Sequence, residues 1–492
     1  MIEQFFHPQL SPSAETFLRI CAGTLLFFQA LATAPHARRF YTTERYGGYT
    51  DSTPLRDAIL RPQIVVVLEM VWLASILAIV LGFALPVAAA INFALARYFY
   101  VRLRWHGILR GMGAPGHMNQ WLSGLLLGLA LADAFDVTGA LRAAVIFTFR
   151  LDFALIMIVA GVYKVTAGYP KNEGMERGMV NPYWGFWWAM YKRVHPRSSI
   201  FAACNHLAYL TEIGAGVMML IPPLAVWGAL ALALSFVFIA ANIRLTFLAE
   251  VVAVCCLLFV SPGDVFDRLL TAWLHAAPAT PAASQAGMLV AGVLATMLYV
   301  YAAALPLAYA AMCYNFYARK RLWEPLQAVV DWWQRTFGLI LWRVFTIDVT
   351  NFYVLVYGED RTSGKRRLIS DIRPFDIWRG ARYSHVAEFI CLASVFTTLK
   401  YFPHDPALFQ KRLRRYAGSL RLEPNEIVLF EYIAIIKTET YDFTPVREFR
   451  YDPQTSSVSE TVLVPEYEVR SGASTSPVHA GAAVGTYAPR AS

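Results

Sequence analysis

From residue 17 to residue 312 the chain alternates long apolar runs with short polar breaks. Nine runs stand out: 17–34, 64–81, 83–100, 118–132, 143–163, 204–221, 224–241, 243–260 and 286–312. A helix that crosses a bilayer needs about 20 apolar residues, with roughly 17–25 usual. The pattern therefore predicts about nine spanning helices. Residues 64–96 are too long for one ordinary span, and Gly82 and Pro86 interrupt them. Pro222-Pro223 and Asn242 mark two further breaks.

Beyond residue 317 the pattern changes. Residues 322–345 mix Trp323, Trp332, Trp333, Phe337 and Trp342 with charges. That mixture predicts an amphipathic helix at headgroup level. Runs 350–358 and 426–441, rich in Val, Ile and Tyr, predict strands. Asp360-Arg361-Thr362-Ser363-Gly364 predicts a hairpin turn. Runs 378–399 and 406–417 predict helices, and the Ser/Gly/Ala-rich stretch 471–492 predicts a disordered tail. The expected fold is a polytopic α-helical membrane protein with a C-terminal α+β domain. Residues 1–317 form the transmembrane domain, 318–470 the α+β domain on the membrane face, and 471–492 the tail.

Composition sharpens this division. The chain has 492 residues, 57% hydrophobic and 16% charged. An ordinary soluble domain is about 45–50% apolar and about 25% charged. Residues 1–317 carry 20 basic and 15 acidic side chains, whereas the shorter stretch 318–492 carries 23 and 19. A purely soluble enzyme, a secreted disulfide scaffold and a disordered chain are excluded. The six cysteines lie in or beside apolar runs without C-x-x-C spacing, and read as small buried hydrophobes. No zinc-finger spacing, Walker motif, GxSxG elbow or HExxH occurs. Neither a metal site nor nucleic acid is expected. The net charge of +9 suits anionic lipid headgroups at membrane edges. The first fifteen residues hold Glu3 and Glu15 and no Lys or Arg, unlike the basic start of a cleavable signal peptide.

Charge placement tests the span count. With nine spans, loops 35–63, 97–117 and 164–202 share one side and hold fifteen Lys and Arg. The opposite loops hold two, Arg142 and Arg268. The positive-inside rule places the C-terminal domain in the cytoplasm, as in a bacterial inner-membrane protein. Merging 64–100 into one span would send the five arginines of loop 35–63 outside.

Ionisable groups inside spans are costly, and mark a pathway, a site or a structural pair. They are Arg19, Glu69, Arg150, Asp152, Lys164, Glu212, Arg244 and Glu250. Lys164 ends the fifth span on the basic side. His117, Asn119, Asn205, His206 and Asn242 lie at span ends on that side, with Glu212 and Glu250 about two turns deeper. The expected picture is a polar cluster in one leaflet. Each residue also has a structural reading. Arg19, Arg150 and Asp152 suit interhelical partners, Arg244 a headgroup anchor, and His117 and His206 the interface. Lys164 suits snorkelling, or a base of lowered pKa.

At Lys164 the residues carry a family likeness. Ile158-Val159-Ala160-Gly161-Val162-Tyr163-Lys164-Val165 closes a span and is followed by Gly174-Met175 and Tyr183-Trp184-Gly185-Phe186-Trp187-Trp188. This resembles the vitamin K-dependent gamma-carboxylase and the wider horizontally transferred transmembrane family. Phe17-Leu18-Arg19-Ile20, Phe40-Tyr41-Thr42, Asn119-Gln120-Trp121-Leu122, Leu341-Trp342-Arg343-Val344-Phe345 and Tyr353-Val354-Leu355-Val356-Tyr357 follow the family's order, over about residues 14–370. The resemblance implies an enzyme in which Lys164 is the catalytic base. It would deprotonate vitamin K hydroquinone, or another quinol, so that oxygen chemistry can carboxylate a peptide glutamate. His117, Asn119, His206, Glu212, Asn242 and Glu250 are the candidate substrate-binding residues around it. The family's N-N-H-S-Y-L reads His117-Met118-Asn119-Gln120-Trp121-Leu122 here, so its histidine falls on Asn119. The animal enzyme carries its C-terminal domain in the lumen, not the cytoplasm. The rival reading is a non-catalytic membrane protein, a transporter or an assembly factor, with structural intramembrane charges. Expected partners are the bilayer and a lipophilic small molecule or peptide.

Overall fold

A computed structural model describes residues 2–102, 113–245, 247–274, 285–343, 347–369 and 381–465. The expected tail 471–492 and residues 378–380 of an expected helix lie outside the described residues. Each apolar run contains a helix: α1 Pro12–Thr33, α2 Pro62–Leu81, α3 Leu85–Ala96, α4 Gly113–Phe135, α5 Ala140–Thr166, α6 Ser199–Met219, α7 Ala225–Asn242, α8 Leu248–Cys255 and α9 Gln285–Tyr317. Short helical turns between them are left without labels. Among the described residues, five helical stretches are long and apolar enough to cross a membrane: Pro12–Tyr41, Pro62–Leu81, Ala140–Thr166, Pro222–Asn242 and Gln285–Tyr317.

The remaining four runs depart from that standard. Helices α4 and α6 have 23 and 21 residues but carry more polar side chains. Helix α3 has 12 residues and runs on into a π turn, Arg97–Arg102. The run 243–260 differs most. Residues 243–245 are extended, because Ile243 bridges Gly185 and Arg244 N donates to Trp184 O at 2.6 Å. Helix therefore starts only at Leu248, and with its 3₁₀ continuation ends at Phe259.

The predicted breaks have local causes. Gly82 adopts φ +74°, a left-handed conformation that costs glycine nothing, and closes α2. Arg19 Nη1 then donates to Ile79 O at 2.6 Å and Val80 O at 3.0 Å, covering carbonyls that the helix end leaves free. Ser11 caps α1 by accepting from Ala14 N at 3.2 Å, with Pro12 in the first turn.

Helix α5 is the centre of the bundle and packs on α4, α6 and α9. Its contact with α6 rests on two glycines. A Cβ on Gly161 would lie 2.6 Å from Ile213 Cγ1, and one on Gly216 would lie 2.6 Å from Ile158 Cγ1. Small residues let helices approach closely in lipid, where apolar burial alone does not hold them together. Asp152 joins three helices: Trp121 Nε1 donates to it at 3.1 Å from α4, and Tyr309 OH at 3.0 Å from α9. Its structural reading fits these contacts.

Helix α10, Glu324–Phe337, is shorter than the predicted 322–345, because Gly338 at φ +73° ends it. Trp323, Leu326, Val329 and Trp332 are exposed, while Trp333 and Phe337 pack on Tyr301 of α9 at 5.4 and 4.6 Å. A five-stranded antiparallel sheet follows, in the order β2-β1-β3-β4-β5. Its strands are β1 Phe352–Asp360, β2 Arg366–Leu368, β3 Glu426–Lys437, β4 Tyr441–Asp452 and β5 Ser457–Val462. The Asp360 turn is as predicted: Asp360 Oδ1 accepts from Thr362 N at 3.0 Å and Ser363 N at 2.7 Å. The predicted strand 426–441 is instead β3, a turn and the first residue of β4. Helices α11, Ala381–Phe396, and α12, Pro406–Gly418, cover the sheet, with Phe396 against Phe409, Phe430 and Phe449.

The C-terminal domain is bonded to the membrane domain at several places. Asn181 Nδ2 donates to Thr350 O at 3.0 Å and Phe352 O at 2.8 Å, and Tyr183 OH accepts from Val354 N at 2.7 Å. Arg39 makes a fork of two 2.8 Å bonds to Glu388. Arg415 donates to Asp51 at 2.9 Å and pairs with Glu44. The basic cluster Lys411, Arg412, Arg414 and Arg415 is therefore split. Lys411 and Arg414 are exposed, whereas Arg412 donates to Thr398 at 2.8 Å and Arg415 ties the domain to loop 35–63.

Candidate functional site

Lys164 sits in the last turn of α5, where the C-terminal end of the helix dipole favours a cation. The close α5–α6 crossing at Gly161 turns it onto Glu212 of α6. Lys164 is 5% exposed and Glu212 2%. Lys164 Nζ donates to Glu212 Oε1 and forms an ion pair with it. Glu212 Oε2 is buried and accepts no hydrogen bond. An ammonium has three donors, and one is committed to Glu212. The pair is thus closed on one side and open on the other.

Tyr169 forms the floor beneath it. Its ring centroid lies 5.9 Å from Lys164 Nζ. The chain turns sharply to place it: Gly168 takes φ +102° and Asn172 φ +57°. Burial, followed by the charges of Glu212 and Glu176, pushes the Tyr169 hydroxyl well above its ordinary value, so it stays protonated.

Below Tyr169 lies a second carboxylate that sequence reasoning missed. Glu176 is wholly buried. Its Oε2 accepts from Gly174 N and from Asn205 Nδ2, both at 2.8 Å. Asn205 Oδ1 in turn accepts from Met175 N at 2.7 Å. Lys437, at the tip of the β3–β4 hairpin, reaches Glu176 Oε1 at 3.0 Å and donates to Asn172 O. Tyr441, the first residue after the turn, has its hydroxyl raised by burial and by Glu176. A buried sequence of groups thus runs from Lys164 and Glu212 past Tyr169 to Glu176, Lys437 and the sheet. One signal for Asn205 was present. Seven residues separate Asn205 from Glu212, about two turns, which puts them on one face of α6.

The other expected site residues occupy separate places. His117 is buried, and its Nδ1 accepts from Trp342 Nε1 at 3.2 Å. Asn119 is 1% exposed, and neither its Oδ1 nor its Nδ2 has a hydrogen-bond partner. Asn242 accepts from Tyr191 OH at 2.8 Å and donates to Phe238 O at 2.9 Å. His206 is exposed on the outer face of α6 and bonds Tyr209 OH at 2.7 Å. Glu250 is half-buried on α8. Arg244, expected as a headgroup anchor, is instead buried with its guanidinium 5.0 Å from the Phe186 ring. Of the six candidates around Lys164, the structure brings Glu212 to it. The angular phase of His206 on α6 turns it away.

The six cysteines are free thiols. Among the described residues, no group of three or more His, Cys, Asp or Glu is placed to hold a metal ion. Compared with protein families, curated proteins and solved structures, the chain finds no match.

Proposed function

We propose that this chain is an integral membrane enzyme of the vitamin K-dependent carboxylase-like class, with Lys164 as its general base. The observation that carries the reading is the open valence of the buried Lys164–Glu212 pair. A substrate hydroxyl fits that opening. It would donate to one side of the pair and accept from the other. Removing its proton needs an amine that can lose its own charge, and a buried lysine beside a carboxylate can exchange a proton with it. A lipophilic quinol, vitamin K hydroquinone or a relative, has the required hydroxyl on a bilayer-soluble body. Asn119, buried and without partners, is a second polar group available to such a ring.

Helices α1–α9 are read as nine spans in a bacterial inner membrane, with the C-terminal domain in the cytoplasm. Two contacts support a shared side for the basic loops and that domain. Arg39 of loop 35–63 holds Glu388, and Glu176 of loop 164–202 holds Lys437.

The test is turnover. Purified protein is incubated with a reduced quinol under oxygen and assayed for the epoxide. Lys164→Ala is expected to lower the rate by about 100-fold or more, the range for losing a general base. No turnover by the wild type, or unchanged turnover by Lys164→Ala, overturns the mechanism. A second reading has its own observation: the glycine-mediated crossing of α5 and α6 suits a purely structural ion pair in a transporter or assembly factor.

A further inference from the structure

At the far end of α5, Arg150 lies fourteen residues before Lys164, about 21 Å away along the helix. Besides Arg268 in its loop, this end carries Arg19, Arg142 and Arg150. Arg19 covers the last carbonyls of α2. Arg142 pairs with both Glu15 and Asp133. Arg150 differs from Arg142. Its Nε donates to Leu258 O and its Nη2 to Gln9 O, each at 2.9 Å, and its guanidinium lies 5.5 Å from the Phe259 ring. These are backbone and aromatic contacts. Among the described residues no carboxylate lies within 4.0 Å of it, and Nη1 has no hydrogen-bond partner.

Arg150 lines a cavity of about 610 Å³. That is a volume suited to a small ligand or a lipid head and its first carbons. Phe147, Met219, Val226 and Phe259 give it an apolar wall. The lining also carries the opposite charge: Asp264 and Glu3 belong to it. Asp264 Oδ2 accepts from Ser261 N at 2.7 Å, and its other oxygen has no such bond. His7 is the remaining titratable group of the lining and is exposed. A guanidinium, two carboxylates and an apolar wall in one cavity of a membrane domain set three requirements on an occupant. It needs an anionic group that reaches Arg150, a cationic group that reaches the carboxylates, and a hydrocarbon part.

We propose that this cavity binds one amphiphile whose head carries a phosphate and a primary ammonium, as an ethanolamine phospholipid does. The phosphate takes Arg150 Nη1, a charge-assisted bond well matched to guanidinium geometry. The ammonium meets Asp264 and Glu3, and the acyl chains follow the apolar wall. This site is independent of Lys164 and of the proposed turnover.

Native mass spectrometry of the full chain in detergent, titrated with lipids of equal acyl chains, tests it. The wild type is expected to retain one ethanolamine phospholipid, at least fivefold over phosphatidylglycerol and over phosphatidylcholine. Arg150→Gln is expected to lose at least tenfold in retention. Asp264→Asn is expected to abolish the preference over phosphatidylglycerol while keeping phosphate binding. Equal retention of all three headgroups by the wild type, or undiminished retention by Arg150→Gln, overturns the proposal. Should Arg150→Gln fail to fold, Val226→Trp fills the apolar side and leaves the guanidinium in place. It is expected to block binding, and full retention by it overturns the proposal equally. Phosphoethanolamine without tails is expected to compete at least tenfold more weakly than the lipid. Equal competition would replace the amphiphile with a soluble phosphate ester.

Discussion

Two ion pairs in this molecule, one half-buried and one buried, look alike in chemistry and differ in what they leave open. At the Arg39–Glu388 pair, every guanidinium nitrogen is used: Nη1 and Nη2 on Glu388, Nη2 also on Tyr49 OH at 2.6 Å, and Nε on Ser419 Oγ at 3.2 Å. Tyr416 OH takes a further bond to Glu388. The Lys164–Glu212 pair has one such bond and a bare carboxylate oxygen. The first pair sits between loop 35–63 and the C-terminal domain, and its planar fork leaves no room for a ligand. The second sits between helices α5 and α6, and its rounder cation leaves donors over. A saturated pair fixes a geometry, whereas an unsaturated one can exchange a proton with something else.

Four perturbations break or sharpen this contrast, the largest first. Arg39→Ala leaves Glu388 and Tyr416 without their cation and removes the two-bond fork to Glu388; at about 1.5–3 kcal/mol for each hydrogen bond to a charged group, the loss should exceed about 3 kcal/mol. Thermal unfolding in detergent should show that loss, with earlier proteolysis of the C-terminal domain. Lys164→Met strands Glu212 in the same way and should cost about 3 kcal/mol; adding Glu212→Leu should recover stability to within about 1 kcal/mol of wild type, since apolar replacement of both partners is often nearly neutral. The double variant should recover no turnover, which separates stability from chemistry. Gly161→Val places atoms where Ile213 now lies and should cost about 1–3 kcal/mol by overpacking. Pushing α5 from α6, it should also lower the proposed turnover more than it lowers the melting temperature would imply.

The smallest effect belongs to an ion pair at the sheet edge. The Arg367 guanidinium, bonding at 2.6 and 2.9 Å, holds the Glu426 carboxyl below its ordinary value. A carboxyl lowered on folding stabilises the fold above about pH 4.5, and the gain disappears as pH falls below that towards its folded value. Arg367→Gln should therefore flatten the acid limb of the stability curve by lowering the neutral plateau slightly, while stability at the acid end stays unchanged. Acid titration followed by tryptophan fluorescence would read the difference, and a loss confined to acid pH, with the pH 7 value unmoved, would contradict it.

The bundle was legible because spanning helices are written in one property, and Gly82, Pro86 and Pro222-Pro223 mark where they end. Residues 243–245 were not, because hydropathy alone does not separate an extended apolar segment from a helical one. Strands β4 and β5 escaped for a related reason: their outward residues are charged, as in Arg447, Glu448 and Arg450, and the alternation is irregular. For the site, depth along each helix was readable and angle was not. His206 and Glu212 were placed by depth in one leaflet, yet six residues put them on different faces of α6. Tyr169 and Glu176 were hidden because the short helical turns Tyr169–Lys171 and Met175–Val180, not a long apolar helix, position them. Lys437 was hidden because its contacts cross 265 residues of chain.

That last separation has a consequence for how the protein is made. Chains emerge from a ribosome at about 5–20 residues per second, so Lys437 follows Asn172 by roughly 13–50 s. Through that interval α5 and α6 can insert and close on each other, while Glu176 has only Arg177, 4.0 Å away, as a cation in the finished fold until the β3–β4 hairpin arrives. The membrane half is thus synthesised with an unfilled socket, and its last charge is delivered by the third of the five strands to be translated.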